Sequence, residues 1–243
     1  MGANERRLRG VYALPSMSLR AFRSRALRAY GSQYLRPYRS WQLRRLVARL
    51  ARGSASDATR QRLLHKVVRA WANPWSANED LLERLWHWLA ESSGPVLECG
   101  SGVSTLVLAA GIAPTARRVV SLEHQTAWAE RVWDGIPRRL RANVDIVVRP
   151  LVSWGEYDWY DVNVSSLPES IGLVFCDGPP GSTRGGRYGI TRVLQDRLAP
   201  GAVVLFDDTS RPGEREIVEL CCAELPADLI EDTPRHSAIR VLG

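Results

Sequence analysis

The chain has 243 residues, 45% of them hydrophobic, enough for one α/β domain of ordinary size with an appendage. No apolar run approaches the roughly 18 residues of a membrane-spanning helix and no secretory hydrophobic segment follows the N-terminus, so a soluble cytoplasmic protein is expected, at most peripheral at a membrane. The formal net charge of +7 conceals a division, because residues 1–70 carry +15 and residues 71–243 carry −8.

The basic segment is an arginine surface whose only lysine is Lys66. Guanidinium forks bind phosphate or carboxylate in bidentate fashion, which implies an anionic partner such as RNA or anionic lipid. Leu19, Phe22, Ala26 and Tyr30 recur at three- and four-residue steps. From Trp41 to Leu50 the apolar Trp41, Leu43, Leu46, Val47 and Leu50 fall largely on one side, with Arg44, Arg45, Arg49 and Arg52 mostly elsewhere, the pattern of an amphipathic helix. Three readings stand for this region: a helical cap over a catalytic part with a solvated arginine face, an interfacial helix on anionic lipid, or an arm that binds RNA or an acidic substrate. A transit peptide is a fourth, whereas Gly2 is not read as a myristoylation site because Arg6 stands where Ser or Thr is needed.

A boundary near Asn73-Pro74 separates a helical extension, 1–73, from a main domain, 74–243. Asn78 reads as an N-cap, with Glu79 and Asp80 facing the positive end of the helix dipole. The helix runs to about Glu91, turning Leu81, Leu82, Leu85, Trp88 and Leu89 toward a sheet, and Ser92-Ser93-Gly94-Pro95 ends it. Strands follow near 96–99, 119–123, 144–149, 171–176 and 202–206, then 228–231 and 237–242. The intervening segments read as helices, with Ser104 to Ala110 and Gln125 to Trp133 the clearest. Such alternation predicts an α/β fold with a Rossmann-like, doubly wound, mainly parallel sheet of seven strands. Cys99, Cys176, Cys221 and Cys222 form no C-x-x-C pair and no zinc-ligand spacing, and are read as reduced thiols.

The most informative stretch is V-L-E-C-G-S-G-V-S, Val96 to Ser104. An apolar strand carries Glu98 at its end and runs into a turn where Gly100 and Gly102 let the backbone lie close to a ligand. Thr105 occupies the third glycine position of G-x-G-x-x-G, which disfavours a dinucleotide. The next strand closes on Glu123, a second carboxylate able to accept hydrogen bonds from ribose hydroxyls. In this pair of motifs the chain resembles the class I S-adenosylmethionine-dependent methyltransferases, over about Asn78 to Gly243. The resemblance implies that Glu98, Gly100 and Gly102, with Ser104 in the same turn, lie along the methionine part of the cofactor and that Glu123 takes its ribose. His124 reads as pocket lining. The last two strands, joined by Asp232-Thr233-Pro234-Arg235-His236, fit the antiparallel hairpin typical of that family.

The strand Leu173-Val174-Phe175-Cys176 runs into Asp177-Gly178-Pro179-Pro180-Gly181, which holds an acid beside the cofactor turn. Gly181 replaces the aromatic that would stack on a flipped base, disfavouring base N-methylation. The loop resembles that of a methyltransferase subgroup with a D-G-P-P-G motif, in which Arg184, Arg187 and Tyr188 are read as substrate contacts or as a solvated surface. The fifth strand ends in Asp207-Asp208. With Asp177 these acids resemble the magnesium site of catechol-type O-methyltransferases, although Asp208 stands where an amide is usual; capping the next helix is the competing role. As general base for a hydroxyl, Asp177 and His236 are the candidates. Trp154, Tyr157, Trp159 and Tyr160 line a pocket or belong to a helix packed on the sheet. The expected activity is methyl transfer from S-adenosylmethionine to oxygen of a small anionic or polyhydroxylated acceptor. The alternatives are an RNA- or membrane-associated protein using the domain as a scaffold, and an aminopropyl transferase.

Overall fold

The computed structural model describes residues 36–53, 56–73 and 76–242, with side chains from residue 40. The pattern at Leu19, Phe22, Ala26 and Tyr30, Gly2, and Pro74 of the expected boundary lie outside the described residues.

Among the described residues three helices come first, α1 (Arg36–Leu50), α2 (Asp57–Trp71) and α3 (Glu79–Glu91). In α1 the expected division holds for most positions: Leu43, Leu46, Val47 and Leu50 are buried and Arg45 and Arg49 exposed, but Trp41 remains about half exposed, at 48%. Asn78 caps α3 as expected, its side chain accepting from the Leu81 amide at 3.0 Å.

The main sheet then builds in alternation: β1 (Val96–Cys99), α4 (Val103–Gly111), β2 (Val119–Glu123), α5 (Thr126–Gly135) and β3 (Val144–Val148). After an interruption come β6 (Ile171–Cys176), α6 (Gly189–Leu194), β7 (Leu198–Phe206), α7 (Pro212–Glu224), β8 (Ala227–Asp232) and β9 (Ser237–Val241). The order across the seven-stranded sheet is β3-β2-β1-β6-β7-β9-β8, parallel except for β9, which runs antiparallel to both neighbours. The chain winds outward from β1 to β3, returns to β6 on the other side of β1, and winds outward again. The reversal lies between β1 and β6, whose Cys99 and Cys176 are register partners. Ligands in open α/β sheets bind outside the strand ends at such a point.

The interruption is a correction to the predicted alternation. Residues 151–160 form a separate antiparallel hairpin, β4 (Leu151–Ser153) and β5 (Asp158–Tyr160), not a helix. Gly155, at φ +88°, permits the turn, and the Trp154 amide closes it on the Tyr157 carbonyl at 2.8 Å. The hairpin lays Tyr157, Trp159 and Tyr160 on one face of the sheet with α6 and α7, and helices α1 to α5 cover the other face. The arginine-bearing helices α1 and α2 share that second core with α4, through Leu43, Leu46, Leu64 and Val67 beside Leu106 and Val107. Among the described residues no helix is long and apolar enough to cross a membrane.

Candidate active site

At the end of β1 the chain turns through Gly100, whose φ is +87°. A Cβ there would lie 2.9 Å from the Gly178 amide nitrogen, so the turn after β1 and the loop after β6 touch, and only glycine permits it. Gly102 differs: its backbone is extended, and a Cβ would meet only Ser104 Oγ at 3.7 Å. The protein itself leaves that space open, and a ligand can come close to the backbone there.

Thr105 links this turn to Glu98. Its hydroxyl accepts from the Gly102 amide at 2.8 Å and donates to Glu98 Oε2 at 2.6 Å, while Ser121 donates to the same oxygen at 2.5 Å. Glu98 is fully buried and its Oε1 has no hydrogen bond. Burial pushes the Glu98 pKa up to about 7 against the opposing pull of the neighbouring hydroxyls.

Glu123, also buried, fastens the turn from the tip of β2. Its Oε2 accepts from the Ser101 amide at 3.1 Å and the Ser101 hydroxyl at 2.8 Å, and Oε1 accepts from the amides of His124 and Gln125 at 2.8 and 2.9 Å. The His124 ring lies 3.1 Å from Oε1. Trp128 of α5 donates its indole N–H to the Ser101 carbonyl at 2.6 Å and packs edge-on against Trp71, the last residue of α2, at 5.5 Å between centroids.

On the other side of the reversal, Asp177, Asp207 and Asp208 converge, with carboxylate oxygens within 4.8 Å of one another. Asp208 is held in the left-handed region, at φ +62°, a conformation Asp tolerates better than most residues. At the centre is Arg187, only 2% exposed. Its Nη1 donates to the carbonyls of Cys176 and Asp207 and its Nη2 to that of Asp177 at 3.0 Å, joining the ends of β6 and β7. The same guanidinium lies 3.5 Å from Asp177, 3.7 Å from Asp208 and 3.4 Å from Glu214. Arg211 reaches Asp208 at 2.9 Å, and Arg235 reaches Asp207 at 3.3 Å. Burial raises Asp177 well above the usual carboxylate range; Arg187 opposes this, and Asp207, Asp208 and Glu98 add to it. Asp207 and Glu214 are raised as well, both chiefly by burial.

This donor set does not fit Mg²⁺, which needs carboxylate oxygens open to it and retains several waters. Three guanidinium groups already occupy the approach to the three aspartates. A unit charge pair at about 4 Å in a medium of effective dielectric about 20 repels by about 4 kcal/mol, so a dication would displace arginines before binding.

The other expected residues have other surroundings. Arg184 donates to the Gly155 carbonyl at 2.6 Å and to Ser153 Oγ at 2.8 Å and pairs with Asp158, which fixes it to the β4–β5 hairpin. Tyr188 donates to Glu224 at 2.6 Å beside Arg192. The His236 ring lies 3.0 Å from Glu231, which also holds Arg84 at 2.7 Å and the Trp88 indole at 3.2 Å. His236 thus joins a network with α3. Arg187, read as a substrate contact, is spent on the strand ends. Ser101, Thr105, Ser121, Arg211, Glu214 and Arg235 were missed by sequence reasoning; only Arg211, three residues after Asp208, carried a local signal.

Tyr160, expected to line a pocket or to sit on a packed helix, ends β5. It is fully buried, its hydroxyl has no hydrogen-bond partner, and a Cβ on Gly178 would lie 2.6 Å from that oxygen. Replacing Tyr160 by Phe removes an unsatisfied group under the two touching loops and is expected to stabilise the protein by about 1 kcal/mol in thermal melts. A destabilised variant would show that the hydroxyl has a partner.

A methyltransferase-domain family model matches residues 97–209. No curated protein is significantly similar in sequence. Among solved structures, the chain resembles an O-methyltransferase from Bacillus cereus in complex with SAH, with 18% identity, 79% of this chain and 93% of that one covered, and a TM-score of 0.54. A SAH-bound methyltransferase of Podospora anserina gives 16% identity, 82% and 94% coverage and a TM-score of 0.52. A precorrin-6y C5,15-methyltransferase from Geobacter metallireducens gives 13%, 71%, 93% and 0.52. At such identities the likeness is one of fold, and the stretch from the glycine turn to the end of the sheet reversal, residues 97–209, is what matches the methyltransferase-domain model.

Proposed function

We propose that the chain methylates an oxygen atom of a small acceptor bearing hydroxyl and anionic groups, with Asp177 as the proton acceptor. The observation that carries this reading is the contact between the Gly100 turn and the Asp177-Gly178 loop, which sets a carboxylate with a raised pKa beside the cofactor site. Three features fit S-adenosylmethionine: the space at Gly102, the unpartnered Glu98 Oε1, and Glu123 at the tip of β2. By this reading Glu98, Gly100, Gly102 and Ser104 face the methionine part and Glu123 the ribose, with His124 beside it.

When bound, the cofactor supplies a methyl group on a positively charged sulfur. Asp177 would take the proton of the acceptor hydroxyl, and Glu98, Gly100, Gly102, Ser104 and Glu123 would hold the cofactor that supplies the methyl group. The raised pKa suits a carboxylate to this task, and positioning and exclusion of water supply the rest. Arg211 and Arg235, partly exposed at 52% and 40%, are the rim cations available to an anionic group on the acceptor. A carboxylate beside the cofactor turn supports an acceptor that must lose a proton, as a hydroxyl does. The fold alone does not choose, since its neighbours include a methyltransferase named for carbon positions.

Calorimetric titration of S-adenosylmethionine tests the reading. Saturable binding is expected for the native protein, weakened by about 10- to 100-fold in Glu123→Ala, the loss of hydrogen bonds to a charged group. Absence of binding to the native protein would overturn it.

A further inference from the structure

We propose that Arg187, Arg211 and Arg235 take the place of a divalent cation at the Asp177, Asp207 and Asp208 cluster, making this a latent metal site that the protein's own guanidinium groups keep closed. The three arginines come from separate parts of the fold. Arg187 follows the loop after β6, Arg211 is the residue before α7, and Arg235 sits in the β8–β9 turn, where the Thr209 amide bonds its carbonyl at 2.8 Å. Their convergence is a product of the topology and not of a local run of basic residues.

The charges nearly balance. Four carboxylates, those of Asp177, Asp207, Asp208 and Glu214, meet three guanidinium groups within 3.7 Å. The three arginines are not equivalent. Arg187 is buried and its fork is committed to three strand-end carbonyls, so it belongs to the framework. Arg211 and Arg235 are partly exposed, and each holds its aspartate by side-chain contacts at the rim. Removing these two leaves Asp207 and Asp208 with the cluster's shape and without its outer counter-charges, the condition under which oxygen donors accept a hard cation.

The proposal rests on the proposed function only in placing the acceptor at this cluster, and its test needs neither cofactor nor acceptor. Mn²⁺ binding to the full chain is followed by electron paramagnetic resonance for the native protein, for an Arg211→Ala/Arg235→Ala double variant, and for that variant with Asp207→Asn added. Circular dichroism and thermal melts show that each is folded. The native protein is expected to bind Mn²⁺ weakly, the double variant at least about tenfold more tightly, and the triple variant weakly again. Tight stoichiometric binding to the native protein would overturn the proposal, and so would a double variant that gains nothing. If the folded proteins behave as expected toward Mn²⁺ while none binds S-adenosylmethionine, the proposed function fails and the closed metal site stands.

Discussion

Replacing Arg187 by methionine is expected to lower the melting temperature at pH 8 by about 6–20 °C, the equivalent of about 3–5 kcal/mol for removing one side of a buried charge cluster in a chain of this size. The loss has two sources. Three carbonyls at the ends of β6 and β7 give up their donor, and the carboxylates of Asp177, Asp208 and Glu214 lose the cation at their centre. Protonation relieves the second source. Burial already raises Asp177, Asp207 and Glu214, so the deficit is expected to shrink as pH falls from 8 to 5. Arg187→Lys should fall between, because a point charge cannot span three carbonyls as a fork does. Melts of the three proteins at both pH values test this; a methionine variant that melts with the native protein at pH 8 would deny Arg187 its framework role.

Glu98→Gln is expected to act in the opposite direction on stability. The folded pKa of Glu98 is about 7 against an ordinary 4.5, so at pH 4.5 and below the carboxyl is protonated folded and unfolded, and folding incurs no penalty. As pH rises from 4.5 through 7 the unfolded chain ionises first, and the native protein loses stability. Above pH 7 the penalty is on the order of 3 kcal/mol, and a neutral amide avoids it. The variant should therefore be the more stable protein at pH 8 by about 1–3 kcal/mol, with the gap closing toward pH 4.5. Some of the gain is forfeited because Gln places an amide N–H where Oε1 has no partner. The same substitution removes the acid beside the glycine turn, and S-adenosylmethionine affinity is expected to drop by about tenfold. Chemical denaturation at pH 5 and pH 8, with calorimetry, reads both effects. Equal stability at pH 8 would mean that Glu98 ionises in the fold without strain.

The strands of the sheet reversal are legible because strands buried on both faces appear as short, mostly apolar segments, and β1, β2 and β6 fall within the expected bounds 96–99, 119–123 and 171–176. β7 begins earlier than its apolar run, because Pro200 and Gly201, the latter at φ +77°, break the pattern without ending the strand. The β4–β5 hairpin is not legible as one. Trp154-Gly155-Glu156-Tyr157 gives no standard two-residue turn signal, and a short aromatic run fits helix and strand equally. At the site, the glycine turn with its two acids is visible in local sequence. The arginine hub is not: its partners lie 10 to 27 positions away on other elements, and nothing in a surface-type residue announces that it will be buried. Thr105 shows the limit most plainly. Its mismatch to a dinucleotide motif argues against one ligand, while its actual task, holding Gly102 and Glu98 together, appears only once the helix is in place.

Composition places a break near residue 70, where the charge changes sign, yet the packing runs straight through it. Trp71 stacks edge-on against Trp128, whose indole grips the carbonyl of Ser101, the residue clasped by Glu123. The arginine-rich helices are thus part of the foundation under the glycine turn, and a fragment trimmed at the change of charge would lose a wall of its own core. The arginines of α1 and α2 stand on helices that share the core of the sheet, so among the described residues the change of charge falls within packed structure.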